Sequence, residues 1–144
     1  MFSKACEYGI RATVFIAKQS QESKRSSLKD IAKGINSPEP FTAKILQQLT
    51  RNKIISSVTG PNGGFDIDVL KMPKIKLSQI VFAIDGDSVY RGCGLGLSEC
   101  SEKEPCPVHD KFKVIRNELR VMLETTSVNE LALGLKKGLT FLKR

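Results

Sequence analysis

The segment Gly60-Pro61-Asn62-Gly63-Gly64 constrains the fold of this 144-residue chain more than any other. Glycine adopts positive φ angles without steric cost and proline favours the start of a turn, so the segment predicts a tight reversal. Residues 54–59 and 65–69 flank it as two runs of strand-forming residues. The sequence therefore predicts a β-hairpin. It does not predict a nucleotide-binding P-loop, because no Lys-Ser or Lys-Thr follows the glycines.

Three helical patterns precede this hairpin. Apolar residues at steps of four, four and three predict a first helix from Cys6 to about Lys18. Ser27 and Asp30 have the spacing of a capping box, which predicts the start of a short second helix. After a turn at residues 36–40, helical spacing resumes and predicts a third helix to about residue 52. This order predicts a winged helix-turn-helix, whose third helix would enter the major groove of DNA.

One polar face of the third predicted helix suits DNA. At about 100° per residue, Lys44, Gln47, Gln48 and Arg51 gather opposite the apolar residues. Such side chains can donate to phosphate oxygens and base edges, although an ordinary solvent-facing surface has the same pattern. The order of elements favours the DNA interpretation. The residues predicted to position or read the groove are Phe41, Thr42, Lys44, Gln48 and Arg51, and those predicted to place the wing are Ser57, Thr59, Gly60, Pro61 and Gly63.

The net charge of the chain also favours an anionic partner. It has 23 Lys and Arg against 15 Asp and Glu, a formal charge of +8. The length suits one domain and excludes a large multi-domain enzyme, and we recognise no Ser-His-Asp or paired-carboxylate arrangement, so we predict that it is not an enzyme. No apolar run approaches the roughly 18 residues of a membrane helix, and charged residues interrupt the N-terminus where a signal peptide would be apolar. We therefore expect a cytoplasmic protein without a membrane partner.

The second half of the chain contains a long aperiodic segment between two helical patterns. Residues 85–105 lack periodicity and are rich in glycine, which is unusual in a compact domain unless a ligand organises them. A last helix is predicted from Ser127, with leucines continuing to Leu142. We predict a DNA-binding domain at 1–85, a cysteine loop at 86–107, and a dimerisation helix with a C-terminal helix at 108–144. The dimerisation helix has coiled-coil spacing, and its seam could pack on its own domain or on a second copy; it consists of Val108, Phe112, Ile115, Leu119 and Met122.

The strongest chemical signal is the spacing C-x6-C-x5-C-x2-H, formed by Cys93, Cys100, Cys106 and His109. Thiolates and an imidazole can hold an iron-sulfur cluster or a tetrahedral zinc. The wide gaps favour the cluster, because structural zinc sites usually bring cysteines as close pairs. Reduced core cysteines or oxidation-sensing thiols are the alternatives. Cys6 lies on the apolar face of the first helix, where we predict a core role.

These motifs resemble the Rrf2 family of bacterial winged-helix regulators, which includes a regulator of iron-sulfur cluster biogenesis and a nitric-oxide sensor. The resemblance covers nearly the whole chain. It is based on residues 5–12, 28–32, 45–49 and 55–65 and on the three cysteines. It implies a homodimer that binds a palindromic DNA operator through a winged helix-turn-helix, with the helix after the cysteine loop as the dimer contact. It also implies that gain or loss of a cluster changes promoter binding.

The resemblance also assigns ligands position by position. Cys93, Cys100 and Cys106 match the three cysteine ligands of the family, and His109 matches the fourth ligand of the cluster-biogenesis regulator. Glu7 is the alternative fourth ligand, because the nitric-oxide sensor has an aspartate there. We prefer His109 and a [2Fe-2S] over a [4Fe-4S] cluster, and we predict a repressor controlled by iron-sulfur, redox or nitric oxide status. The alternatives are zinc or free sensor thiols on the same fold, and an iron-sulfur electron-transfer protein without a DNA role.

This sequence departs from the family pattern at several positions. The first two cysteines are one residue further apart than in the biogenesis regulator. Pro38 and Pro40 stand where relatives often have serines, and Phe41 stands where they have a tyrosine. Thr59 replaces an arginine that is common beside the wing, whereas Lys44 adds a cation. The operator sequence of the family is therefore not assumed for this chain.

Overall fold

The computed structural model describes residues 1–143 as a mainly helical chain with one two-stranded antiparallel sheet. This confirms the predicted fold class of a mainly α chain with a small β-hairpin wing. The elements in chain order are α1 (Lys4–Gln21), α2 (Leu28–Ile35), α3 (Glu39–Arg51), β1 (Ser56–Val58), β2 (Gly64–Asp66), a 3-10 turn (Met72–Lys74), α4 (Leu77–Asp85), α5 (Ser88–Arg91), α6 (His109–Thr125) and α7 (Val128–Lys136).

The first helix begins at a side-chain cap and runs slightly further than predicted. The Ser3 hydroxyl accepts a hydrogen bond from the Cys6 amide at 3.0 Å, which satisfies one of the free amides at the helix start. Ala17 and Ser20 are both buried on the inner side of the last turns. The Ser20 hydroxyl also accepts from the Ile67 amide at 3.0 Å, so the end of α1 holds the chain just after β2.

The helix-turn-helix has the predicted arrangement. Ser27 and Asp30 form a complete capping box at the start of α2. Asn36 ends α2 in the left-handed conformation with φ 55°, which turns the chain toward α3. Pro38 is the N-cap of α3, and Ile45, Leu46 and Leu49 bury the inner face of that helix. The opposite face of α3 is thereby directed to solvent.

The two strands are shorter than predicted, because several of their apolar residues enter the core instead of extending the ladder. The register pairs Ser56 with Asp66 and Val58 with Gly64. Ile54, Ile55 and Ile67, which flank the ladder, are each at most 5% exposed. The predicted strand ends at 54–55, 59 and 67–69 were wrong, and the hairpin is a three-residue ladder.

One hydrophobic core joins the N-terminal helices to the C-terminal part of the chain. Leu123, Val128 and Ala132 are fully buried in the same cluster as Ile16 and Ile80. The chain between α6 and α7 is also hydrogen-bonded to the start of α4, through a bridge between Lys76 and Ser127. Burial of this shared apolar surface fixes α6 and α7 relative to α1.

The last helix ends earlier than the leucine pattern predicted. Gly138 has φ +72°, its amide donates to the Leu135 carbonyl at 3.1 Å, and the Leu139 amide donates to the Gly134 carbonyl at 3.0 Å. This pattern is a Schellman motif, which terminates a helix. The predicted continuation to Leu142 was therefore wrong. Within residues 1–143, no helix is long and apolar enough to cross a membrane.

Candidate functional site

The outer face of α3 presents most of the residues predicted to read DNA. Lys44, Gln47 and Arg51 are exposed and Gln48 is half-buried. At the start of the helix, the Phe41 ring packs edge-to-face on Tyr8, with 5.5 Å between the ring centroids. Phe41 is still 36% exposed. This face combines two cations, two amides and an aromatic edge, which are groups suited to phosphates and base edges.

Thr42 does not belong to this face, which corrects the prediction. Its side chain is fully buried. The hydroxyl donates to the Pro38 carbonyl at 2.8 Å and lies 2.5 Å from the Ser37 hydroxyl. Its polar group is therefore satisfied inside the protein, and it stabilises the first turn of α3 instead of facing DNA.

The tip of the wing is an exposed turn that brings backbone to the surface. Ser57, Thr59, Gly60 and Pro61 are exposed and Gly63 is half-buried. The Gly63 amide donates to the Gly60 carbonyl at 3.0 Å and closes the turn. Gly60 has φ +102°, which glycine adopts without strain. Small residues at this tip leave room for a partner backbone.

Arg25 fixes the root of the wing, and the sequence reasoning did not identify it. Its Nε donates to Asp66 Oδ2 at 3.0 Å and its Nη1 donates to the Asn62 carbonyl at 3.2 Å. The neighbouring residue Ser26 exchanges two backbone hydrogen bonds with Phe65, at 2.8 and 3.0 Å. The segment before α2 is thus bound to both β2 and the wing tip. No spacing rule links residues about 40 positions apart, so only the fold reveals this role.

The cysteine loop connects α5 to α6 and brings its four candidate ligands together as two pairs. The first pair is Cys100 and His109, with 3.4 Å between Sγ and Nδ1. The second is Cys93 and Cys106, which lie close enough for the Cys106 side chain to affect the Cys93 thiol. Hydrogen bonds from the backbone of Leu95, and then from Leu97, are the main causes that lower the pKa of the Cys93 thiol. His109 is buried at the first position of α6.

Cations of α6 surround the first pair. Arg116 Nη2 donates to Cys100 Sγ at 3.0 Å. Lys113 pairs with Glu102 of the loop, and this contact lowers the pKa of the Glu102 carboxyl and raises that of the Lys113 amine. Both groups line an open cavity of about 340 Å³ together with Cys100, His109 and Arg116. The cavity is therefore lined by a sulfur atom, an imidazole and the cations of Lys113 and Arg116.

The donor chemistry of this loop fits an iron-sulfur cluster. Three thiols and one imidazole are soft or borderline ligands, and the nearby guanidinium suits an anionic group. In the described residues 1–143, however, no three Cys, His, Asp or Glu side chains are gathered closely enough to hold one metal ion. The two pairs of donors would have to approach each other for all four to share one cluster.

The remaining candidates, Cys6 and Glu7, lie on α1. Cys6 is fully buried in the core, as predicted. Burial, followed by the negative charge of Asp85, raises the pKa of its thiol to about 12. Glu7 is exposed, and its carboxylate lies 3.2 Å from the Lys4 amine. The structure thus gives Glu7 a surface ion pair on its own chain.

The predicted seam on α6 is only partly covered. Val108 and Leu119 are half-buried, whereas Phe112, Ile115 and Met122 are 36%, 58% and 42% exposed. Leu123, which was outside the predicted seam, is the apolar residue of α6 that is fully buried in the core. An apolar strip of this helix therefore faces solvent.

Comparison with known proteins identifies the family. The sequence model of the Rrf2 family, described as an iron-dependent transcriptional regulator, matches residues 2–133. The chain belongs to the Rrf2 family. An HTH-type transcriptional regulator of Aquifex aeolicus is 29% identical over 134 residues, covering 91% of this chain and 90% of its own. The regulator IscR of Photorhabdus laumondii is 26% identical over 124 residues, covering 86% and 74%.

A solved structure confirms the fold of this Rrf2 protein. CymR of B. subtilis, described as the global cysteine regulator, superposes with a TM-score of 0.75 at 22% identity, over 92% of this chain and 96% of that chain. The relatives are transcriptional regulators and not enzymes, in agreement with the prediction. Family membership also contradicts the electron-transfer alternative without a DNA role, because the family consists of transcriptional regulators.

Proposed function

We propose that this Rrf2 protein is a homodimeric repressor that binds a palindromic operator and responds to an iron-sulfur cluster on its cysteine loop. The single observation that best supports DNA recognition is the exposed polar face of α3 beside a wing that Arg25 anchors. Positive charge on this face would be attracted to phosphates, and the arginine and amides would reach base edges.

Each part of the DNA-binding surface has its own task in this proposal. Lys44 and Arg51 contact phosphates or guanines, Gln48 reads a base edge, and Phe41 fills the space beside a thymine methyl group. Ser57, Thr59, Gly60, Pro61 and Gly63 bring the wing against the DNA backbone or minor groove. Thr42 positions the start of α3 and takes no part in the contact.

The exposed strip of α6 supports the proposed homodimer. Phe112, Ile115 and Met122 share one side of the helix and are all at least one third exposed. Pairing with a second copy would remove this apolar surface from water. A two-fold dimer presents two recognition helices, and such a pair reads two half-sites of inverted sequence.

The cysteine loop is the proposed control site. Cys93, Cys100, Cys106 and His109 would hold a [2Fe-2S] cluster, with Glu7 as the alternative fourth ligand. When bound, such a cluster supplies electron-transfer chemistry whose potential depends on its ligands and surroundings. The buried imidazole of His109 is held beside Cys100, and the cations of α6 compensate negative charge on the sulfurs. Gain or loss of the cluster would change the order of residues 92–106.

The DNA assignment can be tested by substituting the two cations of α3. Lys44→Ala and Arg51→Ala should each weaken binding to duplex DNA and reduce the slope of log K against log salt by about 0.9 per lost phosphate contact. Lys137→Ala, at an exposed cation that follows α7 and belongs to neither α3 nor the wing, is the matched control. Unchanged affinity and salt slope in both α3 variants would disprove the groove assignment.

The pairing of the donors favours a second candidate, in which free thiols sense oxidation. The side chains of Cys93 and Cys106 lie near each other. With a peroxide as oxidant, two thiols form a disulfide and the peroxide is reduced to two waters. Anaerobic purification distinguishes the candidates, because a brown protein with iron and sulfide supports the cluster. A colourless protein that contains zinc, or no metal after reconstitution, supports the alternatives.

A further inference from the structure

Arg116 of α6 contacts both the end of α5 and the cysteine loop that follows it in the chain. Its Nη2 donates to Cys100 Sγ at 3.0 Å, and its Nη1 donates to the Gly92 carbonyl and lies 3.5 Å from the Arg91 carbonyl. Its Nε is buried and has no hydrogen-bond partner among residues 1–143. One planar guanidinium therefore holds both the cysteine loop and the end of α5 against α6.

The short helix α5 borders two cavities, one at the cysteine loop and one at the C-terminal end of α3. Tyr90 of α5 lines the cavity that contains Cys100 and His109. It also lines a second cavity of about 350 Å³, whose wall includes Asn52 at the C-cap of α3 and Phe82 of α4. A shift of α5 would change both cavities. The carbonyls at the C-terminal end of α5 are the groups that Arg116 holds.

We propose that Arg116 is a positioning residue that couples the sulfur of Cys100 to the DNA-binding helix through α5. This inference rests on the proposed control role of the cysteine loop. The guanidinium is charged at every working pH and has no acceptor atoms, so its contact with Cys100 depends on the state of the sulfur. A free, accessible sulfur accepts the hydrogen bond, as the 3.0 Å contact shows. If the sulfur of Cys100 is bound by a cluster, oxidised or moved away, Arg116 keeps only its hydrogen bonds to the carbonyls at the end of α5.

Amide hydrogen exchange on the reduced, metal-free full chain tests the contact itself. Arg116→Gln should speed exchange of the loop at residues 92–106 by about tenfold, because a hydrogen bond to a charged group is lost. Exchange in β1 and β2 should not change. Arg120→Gln is the matched control, since Arg120 is exposed and lies one turn further along α6. Equal exchange in the two variants would overturn the proposal.

A double-mutant cycle on DNA affinity tests the coupling. Cys100→Ala and Arg116→Gln are each compared with wild type, and the double variant should bind a duplex no more weakly than the weaker single variant. Additive losses would overturn the proposal, because they would mean that the two residues act separately. Arg116→Lys keeps the charge, but a lysine cannot hold two partners in one plane. The amides of residues 92–106 should therefore exchange faster in this variant than in wild type. If wild type itself binds no duplex, the proposed function fails, while the exchange result still decides whether Arg116 holds the loop.

Discussion

The Cys100 Sγ atom lies 3.4 Å from His109 Nδ1, although the two residues are nine positions apart in sequence. This pairing places a thiol and a buried imidazole at the point where the cysteine loop enters α6. His109 is buried, whereas Cys93, Cys100 and Cys106 are each only half-buried. The geometry supports a local fourth ligand more directly than it supports Glu7.

Substitution of His109 should therefore remove the proposed cluster. We expect His109→Ala to lower iron retention after anaerobic reconstitution by at least about tenfold, since even residues that only support a ligand have effects of this size. Iron and sulfide analysis with absorption spectra measures the result. Glu7→Ala is the control and should retain the cluster. Loss of the cluster in Glu7→Ala alone would assign the fourth ligand to α1.

Breaking the anchor of the wing should weaken DNA binding with little change in stability. The ion pair between Arg25 and Asp66 is partly exposed, so its loss should cost less than about 1 kcal/mol of folding free energy. Arg25→Ala also releases the Asn62 carbonyl at the wing tip, and we expect duplex affinity to fall by roughly fivefold. Thermal unfolding and titration with fluorescent duplex measure the two effects. Lys24→Ala, at the neighbouring exposed cation, should have the smaller effect on affinity; an equal effect would mean that charge alone matters.

The local patterns of the sequence predicted the winged helix-turn-helix because its signals are short-range. The capping box of Ser27 and Asp30 depends only on residues a few positions apart, and so does the turn formed by the glycines of the wing. Arg25 and Arg116 could not be predicted in the same way, because their partners lie 16 to 41 residues away and are set by tertiary packing.

The positions at which the structure differs from the predictions share a physical cause. A polar residue was expected to face solvent and an apolar residue to extend a regular element. Thr42 is instead buried, because its hydroxyl bonds to the backbone of its own first turn. Ile54 and Ile67 fill the core beside the hairpin, and the leucine pattern of α7 outlasts the helix because Gly138 ends it.

The apolar strip of α6 should be required for dimerisation. Ile115→Glu places a charge at the centre of the proposed interface, where its burial would be unfavourable. We expect the variant to sediment as a monomer at concentrations at which wild type is a dimer. Arg120→Glu, on another side of the same helix, is the control and should remain dimeric. A dimer that persists in Ile115→Glu would place the interface elsewhere.

Gly64 should tolerate substitution less well than Gly60. Gly64 has φ +138°, and a Cβ at this position would lie 2.8 Å from the Ser26 carbonyl oxygen. Gly60 also has a positive φ, but no heavy atom lies within 4 Å of its added Cβ. We expect Gly64→Ala to lower the free energy of unfolding by about 1–3 kcal/mol, and Gly60→Ala to lower it by less. Urea unfolding compares the two; equal losses would mean that the contact with Ser26 is relaxed by a small shift.

The buried thiol of Cys6 should make stability depend on alkaline pH. Its pKa rises from 9.0 to about 12 on folding, so between these values the unfolded chain has lost a proton that the folded chain keeps. The contribution of the Cys6 thiol to the free energy of unfolding is therefore fully present below pH 9. Above pH 9 this contribution falls by about 1.4 kcal/mol per pH unit.

Urea unfolding of wild type and Cys6→Ala at pH 8 to 11 isolates this contribution, because both proteins have the same lysines, tyrosines and remaining cysteines. The difference in stability between the two proteins should be constant below pH 9 and should shift steadily against wild type above it. Parallel pH dependences would show that the thiol ionises in the folded protein as readily as in the unfolded chain.

Native Cys6 should also resist iodoacetamide at pH 8 while Cys93 reacts, because only the thiolate of an accessible cysteine is alkylated.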